Sequence, residues 1–103
     1  MKHKRSSNRV LADINATQSA LYVAKTHLAH QIRVVIEEQN LTQVEAAKLL
    51  GINQPKVSAL IRGNLDGFSS DRLLKFLNLL DQDIEIVIRP HTDPNHEAGI
   101  SVV

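Results

Sequence analysis

The centre of the sequence holds start and stop signals for two short helices that follow each other closely, and this pattern constrains the fold most. Thr42 and Glu45 have the spacing of a capping box, in which each side chain binds a free backbone N–H group at a helix start. Gly51 readily adopts the left-handed conformation that ends a helix. Asn53 can cap a second helix, and Gly63 can end it. The spacing therefore predicts two helices joined by a tight turn.

Helical spacing divides the second helix into a buried side and an exposed side. Val57, Leu60 and Ile61 recur at helical spacing and are predicted to face the core. The residues left on the outer side offer hydrogen-bonding groups, two positive charges and a small apolar contact: Gln54, Lys56, Ser58, Ala59 and Arg62. A helix-turn-helix can place such a side in the major groove of DNA. Helix pairs joined by glycine also occur in proteins that never contact DNA, so spacing alone leaves both interpretations open.

Several groups of residues in this segment are typical of one family. They are Leu41-Thr42-Gln43, Ala46-Ala47, Leu50-Gly51, Gln54-Pro55, Val57-Ser58, and Leu60 with Gly63. Through them, roughly residues 25–80 resemble the lambda-repressor-like (Xre/Cro) helix-turn-helix family. The resemblance implies that Gln43 contacts phosphate and that Gln54 reads adenine. Lys56 and Arg62 depart from the smaller or neutral residues of the phage repressors, so their DNA targets do not carry over.

Composition limits the class of protein. The chain has 103 residues, a formal net charge of +1, only 3% aromatic residues and no cysteine. Its core must therefore be built from Leu, Ile, Val and Ala, which favours helices, and it has no disulfide or thiolate metal site. No apolar run approaches the roughly 20 residues of a membrane span. Since no secretion signal is recognisable either, we expect no membrane association and a cytoplasmic location.

The charge is unevenly distributed along the chain. Residues 1–35 carry six Lys or Arg residues against one Asp, a net charge of +5, whereas residues 36–103 carry six against ten acidic residues, a net charge of −4. A basic N-terminal segment can add salt-dependent contacts to phosphates, or it can serve only to keep the chain soluble. Residues 1–14 lack helical periodicity, so we predict a basic, loosely ordered arm there.

The fold class predicted from the helical periodicity is all-α, with four to five helices over residues 15–82 and the helix-turn-helix motif at residues 42–63. Asn15 with Gln18 is a capping pattern that starts a long scaffold helix ending near Glu38 or Gln39. Its apolar side is a stripe at helical spacing. The stripe comprises Leu21, Leu28, Ile32, Val35 and Ile36, with Ala24 and Ala29 between them.

A period of two replaces the helical period at residues 83–89 and predicts a β-strand. Its apolar residues, which we expect at a dimer interface, are Ile84, Ile86, Val87 and Ile88. One strand cannot satisfy its own backbone groups, so it must pair either with residues 100–103 or with the same strand of a second copy. We favour the second copy, because helix-turn-helix proteins normally bind two half-sites as symmetric dimers. Residues 90–103 are expected to form a flexible tail.

No catalytic or metal site can be assembled from the sequence. His27 and His30 have the spacing of a metal-chelating pair, but no third ligand is apparent, so no metal and no other cofactor is predicted. Ser69, with Asp71 after it, is better interpreted as a helix start than as a nucleophile. We therefore expect no enzymatic activity.

The predicted function is sequence-specific binding of double-stranded DNA by a transcriptional repressor, as a homodimer on a near-palindromic operator. The predicted base-reading residues are Gln54, Lys56, Ser58 and Ala59. The predicted phosphate contacts lie at helix ends beside them. These are Gln43, Arg62 and Asn64. For Arg62, binding to the last carbonyl groups of its own helix is the alternative.

An N-terminal extension, a compact helical domain and a terminal Ile-Glu-Ile-Val-Ile strand together resemble the HigA-type antitoxins of bacterial toxin–antitoxin pairs. The resemblance implies a small toxin protein, often a ribonuclease, as a further partner, with residues 1–24 as the candidate toxin-binding region. The alternatives are a helix-turn-helix regulator without a toxin partner, and a protein-interaction module that has lost DNA binding. Such a module is expected to carry acidic or bulky residues on the exposed side of residues 54–62, and none are present there.

Overall fold

Four helices form the fold in the part of the chain that the structure describes. The computed structural model describes the backbone of residues 7–103 and the side chains of residues 18–103. The helices are α1 (Ser7–Glu38), α2 (Gln43–Leu50), α3 (Gln54–Ile61) and α4 (Ser70–Leu79). α1 packs against α3 and α4, and α2 packs against the same two helices. The predicted all-α class with four helices is thus confirmed over this region.

The predicted starts and stops of the two motif helices are confirmed. The Thr42 backbone N–H donates to Glu45 Oε1 at 2.8 Å, and the Glu45 backbone N–H donates to Thr42 Oγ1 at 3.1 Å. Asn53 Oδ1 accepts a hydrogen bond from the first turn of α3 at 2.9 Å. Gly51 ends α2 with a φ of 71°, where a side chain would be strained. These local interactions fix the end of α2 and the start of α3, and one tight turn joins the two helices.

One apolar cluster holds the helices together. Its largest fully buried side chains are Ile32, Val57, Leu60, Leu73 and Leu80. They come from α1, α3 and the α4 region, so the core lies between the scaffold helix and the motif. Ala46 of α2 is also fully buried, and its small side chain allows neighbouring helices to approach closely.

The turn from α1 to α2 fixes the motif on its scaffold. Asn40 lies in this turn and has a φ of 56°, a left-handed conformation that Asn tolerates. The Gln39 Nε2 group donates to the Leu80 carbonyl at 2.8 Å, which ties the end of α1 to the end of α4. Among residues 7–103, every helix is too short or too polar to cross a bilayer.

The N-terminal end of α1 differs from the prediction. The helix begins at Ser7, whereas the sequence pattern placed its start at Asn15. No glycine or proline precedes Asn15 in the sequence, so nothing local forces a helix break there. Leu21 was expected in the buried stripe, yet it is 40% exposed, whereas Ala24, about one helical turn later, is buried against the other helices at 6% exposure. Residues 1–6 of the predicted arm lie outside the described residues.

Residues 83–89 form no hydrogen-bonded strand in this single chain, and neither do residues 100–103. The predicted strand residues are exposed by 36% at Ile84, 74% at Ile86, 64% at Val87 and 91% at Ile88. A strand is held by hydrogen bonds to a second strand, and the intramolecular hairpin that would supply one does not form in the described chain. Pairing between two copies stays a prediction.

Candidate nucleic-acid interface

Two buried side chains anchor α3 and turn its polar side outward. Val57 is fully buried and Leu60 is 1% exposed, so the rotation of the helix about its own axis is fixed by the core. The predicted reading side is accessible, with Gln54, Lys56 and Arg62 exposed and Ser58 and Ala59 half-buried. The described part of the subunit therefore leaves this side free to contact a ligand.

Three of the predicted contact residues meet at one cleft. Lys56 and Ala59 of α3 and Asn64 of the following loop line a cleft of about 300 Å³. Asp66 lines the same cleft, and its backbone N–H donates to Asn64 Oδ1 at 3.4 Å. Asp66 was not predicted as a site residue, because no local signal in the sequence shows that the loop after α3 folds back towards this helix. A carboxylate here repels phosphate but can accept a hydrogen bond from a cytosine amino group.

The Arg62 side chain lies along α3. Its Nη1 group donates to Ser58 Oγ at 3.0 Å, one helical turn earlier. In the described residues it makes no side-chain hydrogen bond to the last carbonyl groups of α3, so the alternative role as a C-terminal cap is not observed. A guanidinium has five N–H donors, and the others stay available to a ligand while Ser58 holds the group in place.

The start of α2 carries the remaining predicted contact. Gln43 is the first residue of α2 and is half-buried. Backbone N–H groups and the positive end of the helix dipole at such a start attract phosphate oxygens. The Thr42 backbone N–H, and after it the Thr42 side chain, lower the pKa of the Glu45 carboxyl group below its usual 4.5. The capping box is therefore in its ionised, hydrogen-bonded form near neutral pH.

A second cleft lies between α1 and the C-terminal end of α3, and it was not predicted. This α1–α3 cleft has a volume of about 170 Å³ and polar lining residues Thr26, His30, Arg33 and Arg62. Arg33 Nη2 donates to His30 Nδ1 at 3.2 Å. The sequence showed their i,i+3 spacing, but His30 was considered only as half of a metal pair. No group of three metal-ligand residues occurs among the described side chains.

The loop before α4 is held by a stacked arginine. The Arg72 guanidinium lies 5.4 Å from the ring centroids of both Phe68 and Phe76, a distance that permits cation–π attraction. Its Nη1 group also donates to the Gly67 carbonyl at 3.4 Å. Ser69 Oγ accepts from the Arg72 backbone N–H at 3.2 Å, which confirms the predicted cap of α4. These contacts tie the loop that follows α3 to the start of α4.

Comparison with known proteins agrees with this geometry. The family described as "Helix-turn-helix domain" matches residues 10–89. A solved structure, provisionally named an XRE family transcriptional regulator, is similar with a TM-score of 0.77 and 49% sequence identity, covering 84% of this chain and 97% of that one. No curated protein matches the chain. The two matches support the resemblance drawn from the motif residues, and neither name mentions an antitoxin.

The capping box generates a prediction for stability. Thr42→Ala is expected to lower the free energy of unfolding by about 1 kcal/mol, because the first turn of α2 loses its cap.

Glu45→Gln keeps the geometry of the capping box but removes the titrating carboxyl group. A carboxyl group whose pKa is lowered by folding stabilises the protein above its unfolded pKa and loses that contribution as the pH falls through the folded value. Stability of the wild type should therefore fall more steeply below pH 4.5 than that of Glu45→Gln.

Urea unfolding at neutral and acidic pH measures both effects. Glu38→Gln, at an exposed glutamate of α1 outside the box, is the matched control and should behave as the wild type. Equal pH dependence in the wild type and Glu45→Gln would contradict the role assigned to Glu45.

Proposed function

Because the chain belongs to the helix-turn-helix domain family, we propose that it is a sequence-specific double-stranded DNA-binding transcriptional repressor. The observation that carries the proposal is the exposed polar side of α3, which the burial of Val57 and Leu60 holds outward. A helix anchored in this way can enter the major groove without rearrangement of its core. The protein then acts by occupying a promoter, and no chemical step is required.

Base reading is assigned to the outer side of α3. The Gln54 amide offers a donor and an acceptor that match adenine N7 and N6, a contact that gives about 1–3 kcal/mol of discrimination. Lys56 can donate to guanine, and the Ala59 methyl group can contact a thymine methyl group. Ser58 can donate to a base or phosphate, and its bond to Arg62 gives it a second role as a positioning residue.

Phosphate contacts are assigned to the ends of the motif helices. Gln43 lies at the N-terminus of α2, where free backbone N–H groups add to its side chain. Arg62 and Asn64 lie after the last turn of α3 and are exposed. Such contacts fix the register of the protein on the duplex, while the base contacts carry the sequence preference.

The homodimer is assigned to residues 83–89. Ile84, Ile86, Val87 and Ile88 are exposed in the single chain. Antiparallel pairing of this segment with its copy would give the backbone groups partners and cover these side chains. A two-fold axis would then place two α3 helices in successive major grooves, about 34 Å apart, so the operator would be near-palindromic.

The proposal also includes a toxin protein as a partner. In this role the protein is the antitoxin and autoregulator of a toxin–antitoxin operon. Leu21, Tyr22 and Val23 are exposed on α1 by 40%, 61% and 48%. They lie within residues 1–24, and an apolar group of this kind on a helix can dock a partner. A regulator without a toxin partner needs no such group. The third reading, a module that has lost DNA binding, is disfavoured because α3 exposes no acidic residue.

The base-reading and phosphate roles predict different binding defects. Gln54→Ala should relax the preference at one base position, since one bidentate contact is lost. Arg62→Ala should weaken all duplexes alike and make the salt dependence of the binding constant shallower by about one unit of slope. Selection of bound duplexes from a random pool, followed by titrations at two salt concentrations, measures both effects.

Gln31→Ala is the matched control for Gln54→Ala, because it also removes a side-chain amide but at an exposed position on α1 outside the proposed contacts. It should leave both the preference and the salt slope unchanged. If Gln54→Ala and Arg62→Ala both bound the selected duplex as the wild type does, the orientation assigned to α3 would be wrong.

The dimer proposal predicts that Ile86→Asp produces a monomer, because a charge would be placed between the paired strands. Sedimentation at micromolar concentration should show a dimer for the wild type and for the control Val103→Asp, which changes an exposed apolar residue outside the segment. Of these two variants, only Ile86→Asp should bind the operator more weakly than the wild type. A wild-type monomer under these conditions would remove the proposal.

The toxin proposal predicts that co-expression with the product of the adjacent gene, followed by pull-down, recovers a complex. Tyr22→Asp should abolish the complex by placing a charge in the exposed apolar group. Lys75→Gln, on the exposed side of α4, should retain it. Failure to recover any complex would argue against the toxin partner and leave the repressor proposal intact.

A further inference from the structure

We propose that the α1–α3 cleft is a phosphate-binding site whose ligand is a phosphate group of the DNA backbone. The inference rests on the proposed function and adds residues of α1 to the DNA contacts. Nothing in the motif pattern assigns this site, because two of its residues, His30 and Arg33, belong to the scaffold helix. The chemistry that recognises the ligand is a pair of guanidinium groups with an imidazole beside them.

The charge of the cleft favours an anion. Arg33 and Arg62 line the same cleft from two different helices. Neither forms an ion pair with a carboxylate of residues 18–103. Two like charges held in one concave site raise the local positive potential, and an anion between them would relieve their repulsion.

The donors of the cleft are partly unsatisfied. Because arginine can only donate, His30 Nδ1 accepts the bond from Arg33, and the neutral ring then carries its hydrogen on Nε2, where it can donate to a ligand. Arg33 Nε is buried and has no acceptor in the described chain. A buried N–H group without an acceptor is destabilising, and a phosphate oxygen that Arg33 turned to meet would supply the missing acceptor.

The position of the cleft points to the DNA backbone. Arg62 belongs both to this cleft and to the end of the proposed reading helix, so the two surfaces are continuous. Two of the carbonyl groups near the end of α3 are already occupied, because the Gly63 and Asn64 backbone N–H groups donate to Leu60 and Ala59 at 3.1 and 2.9 Å. Their repulsion of an approaching phosphate is thereby reduced. A duplex read by α3 would present its backbone to such an edge.

The test compares two variants of the cleft in binding to a duplex selected by the wild type. Arg33→Gln removes one cationic phosphate contact and should make the salt slope shallower by about one unit, which corresponds to about eightfold weaker binding at roughly 0.1 M salt. His30→Glu places a carboxylate beside Arg33 at an exposed position, and its effect should be at least as large. Lys75→Gln removes the same unit charge from α4 outside the cleft and should leave the slope unchanged.

Circular dichroism checks whether each variant is folded. If Arg33→Gln does not fold, the salt slope of His30→Glu alone tests the phosphate site, because His30 is exposed and its replacement should leave the fold intact. Unchanged slopes in the folded cleft variants would overturn the inference while the repressor proposal stands. If Lys75→Gln made the salt slope as shallow as the cleft variants do, the inference would also be overturned, because net charge would then explain the effect. If the wild type selects no duplex, the proposed function itself fails.

The same chemistry would suit a free phosphate ion, so a second measurement separates the two sources. The 15N resonance of Arg33 Nε should shift when the selected duplex is added. Inorganic phosphate at matched ionic strength should leave this resonance in place. A saturable shift with inorganic phosphate alone would overturn the assignment to the DNA backbone.

Discussion

The burial of Val57 and Leu60 holds α3 in place and fixes which of its side chains face outward. An eight-residue helix such as α3 is too short to be stable alone in water. Its place is therefore set by packing, and burying a Val or Leu side chain contributes about 1.5–3 kcal/mol. Once these two side chains are fixed in the core, helix geometry determines where every other side chain of α3 points. The outward direction of Gln54 and Lys56 follows from what lies beneath them.

The surroundings of α3 divide its surface into two electrostatically different edges. Lys56 shares one cleft with Asp66, so positive and negative groups lie close together where base edges would be read. Arg62 shares the other cleft with Arg33 and no carboxylate. An edge with charges of both signs can discriminate between ligands, since each charge repels a ligand group of the same sign. A purely cationic edge adds affinity without sequence preference. The scaffold helix α1 lines the second edge, and the proposed phosphate site would give it a role beyond support of the core.

The parts of the structure that rest on local hydrogen bonds could be predicted from the sequence. The caps at Thr42, Asn53 and Ser69 each join a side chain to a backbone group three residues away, so a short pattern is enough to predict them. The α1–α3 cleft could not be predicted, because residues 30 and 62 meet only through the packing of two helices. The exposure of Leu21 depends on where the other helices end along α1, which no local pattern records. A strand at residues 83–89 depends on a partner that lies outside a single chain.

Whether α3 reads DNA can be measured from the change in NMR chemical shifts across the protein when a selected duplex is added. The exposed residues of α3 should shift most, with the Gln54 side-chain amide among them, while the buried Val57 and Leu60 keep a folded environment. A duplex that binds tightly but perturbs only surfaces away from α3 would contradict the central claim that this helix reads DNA.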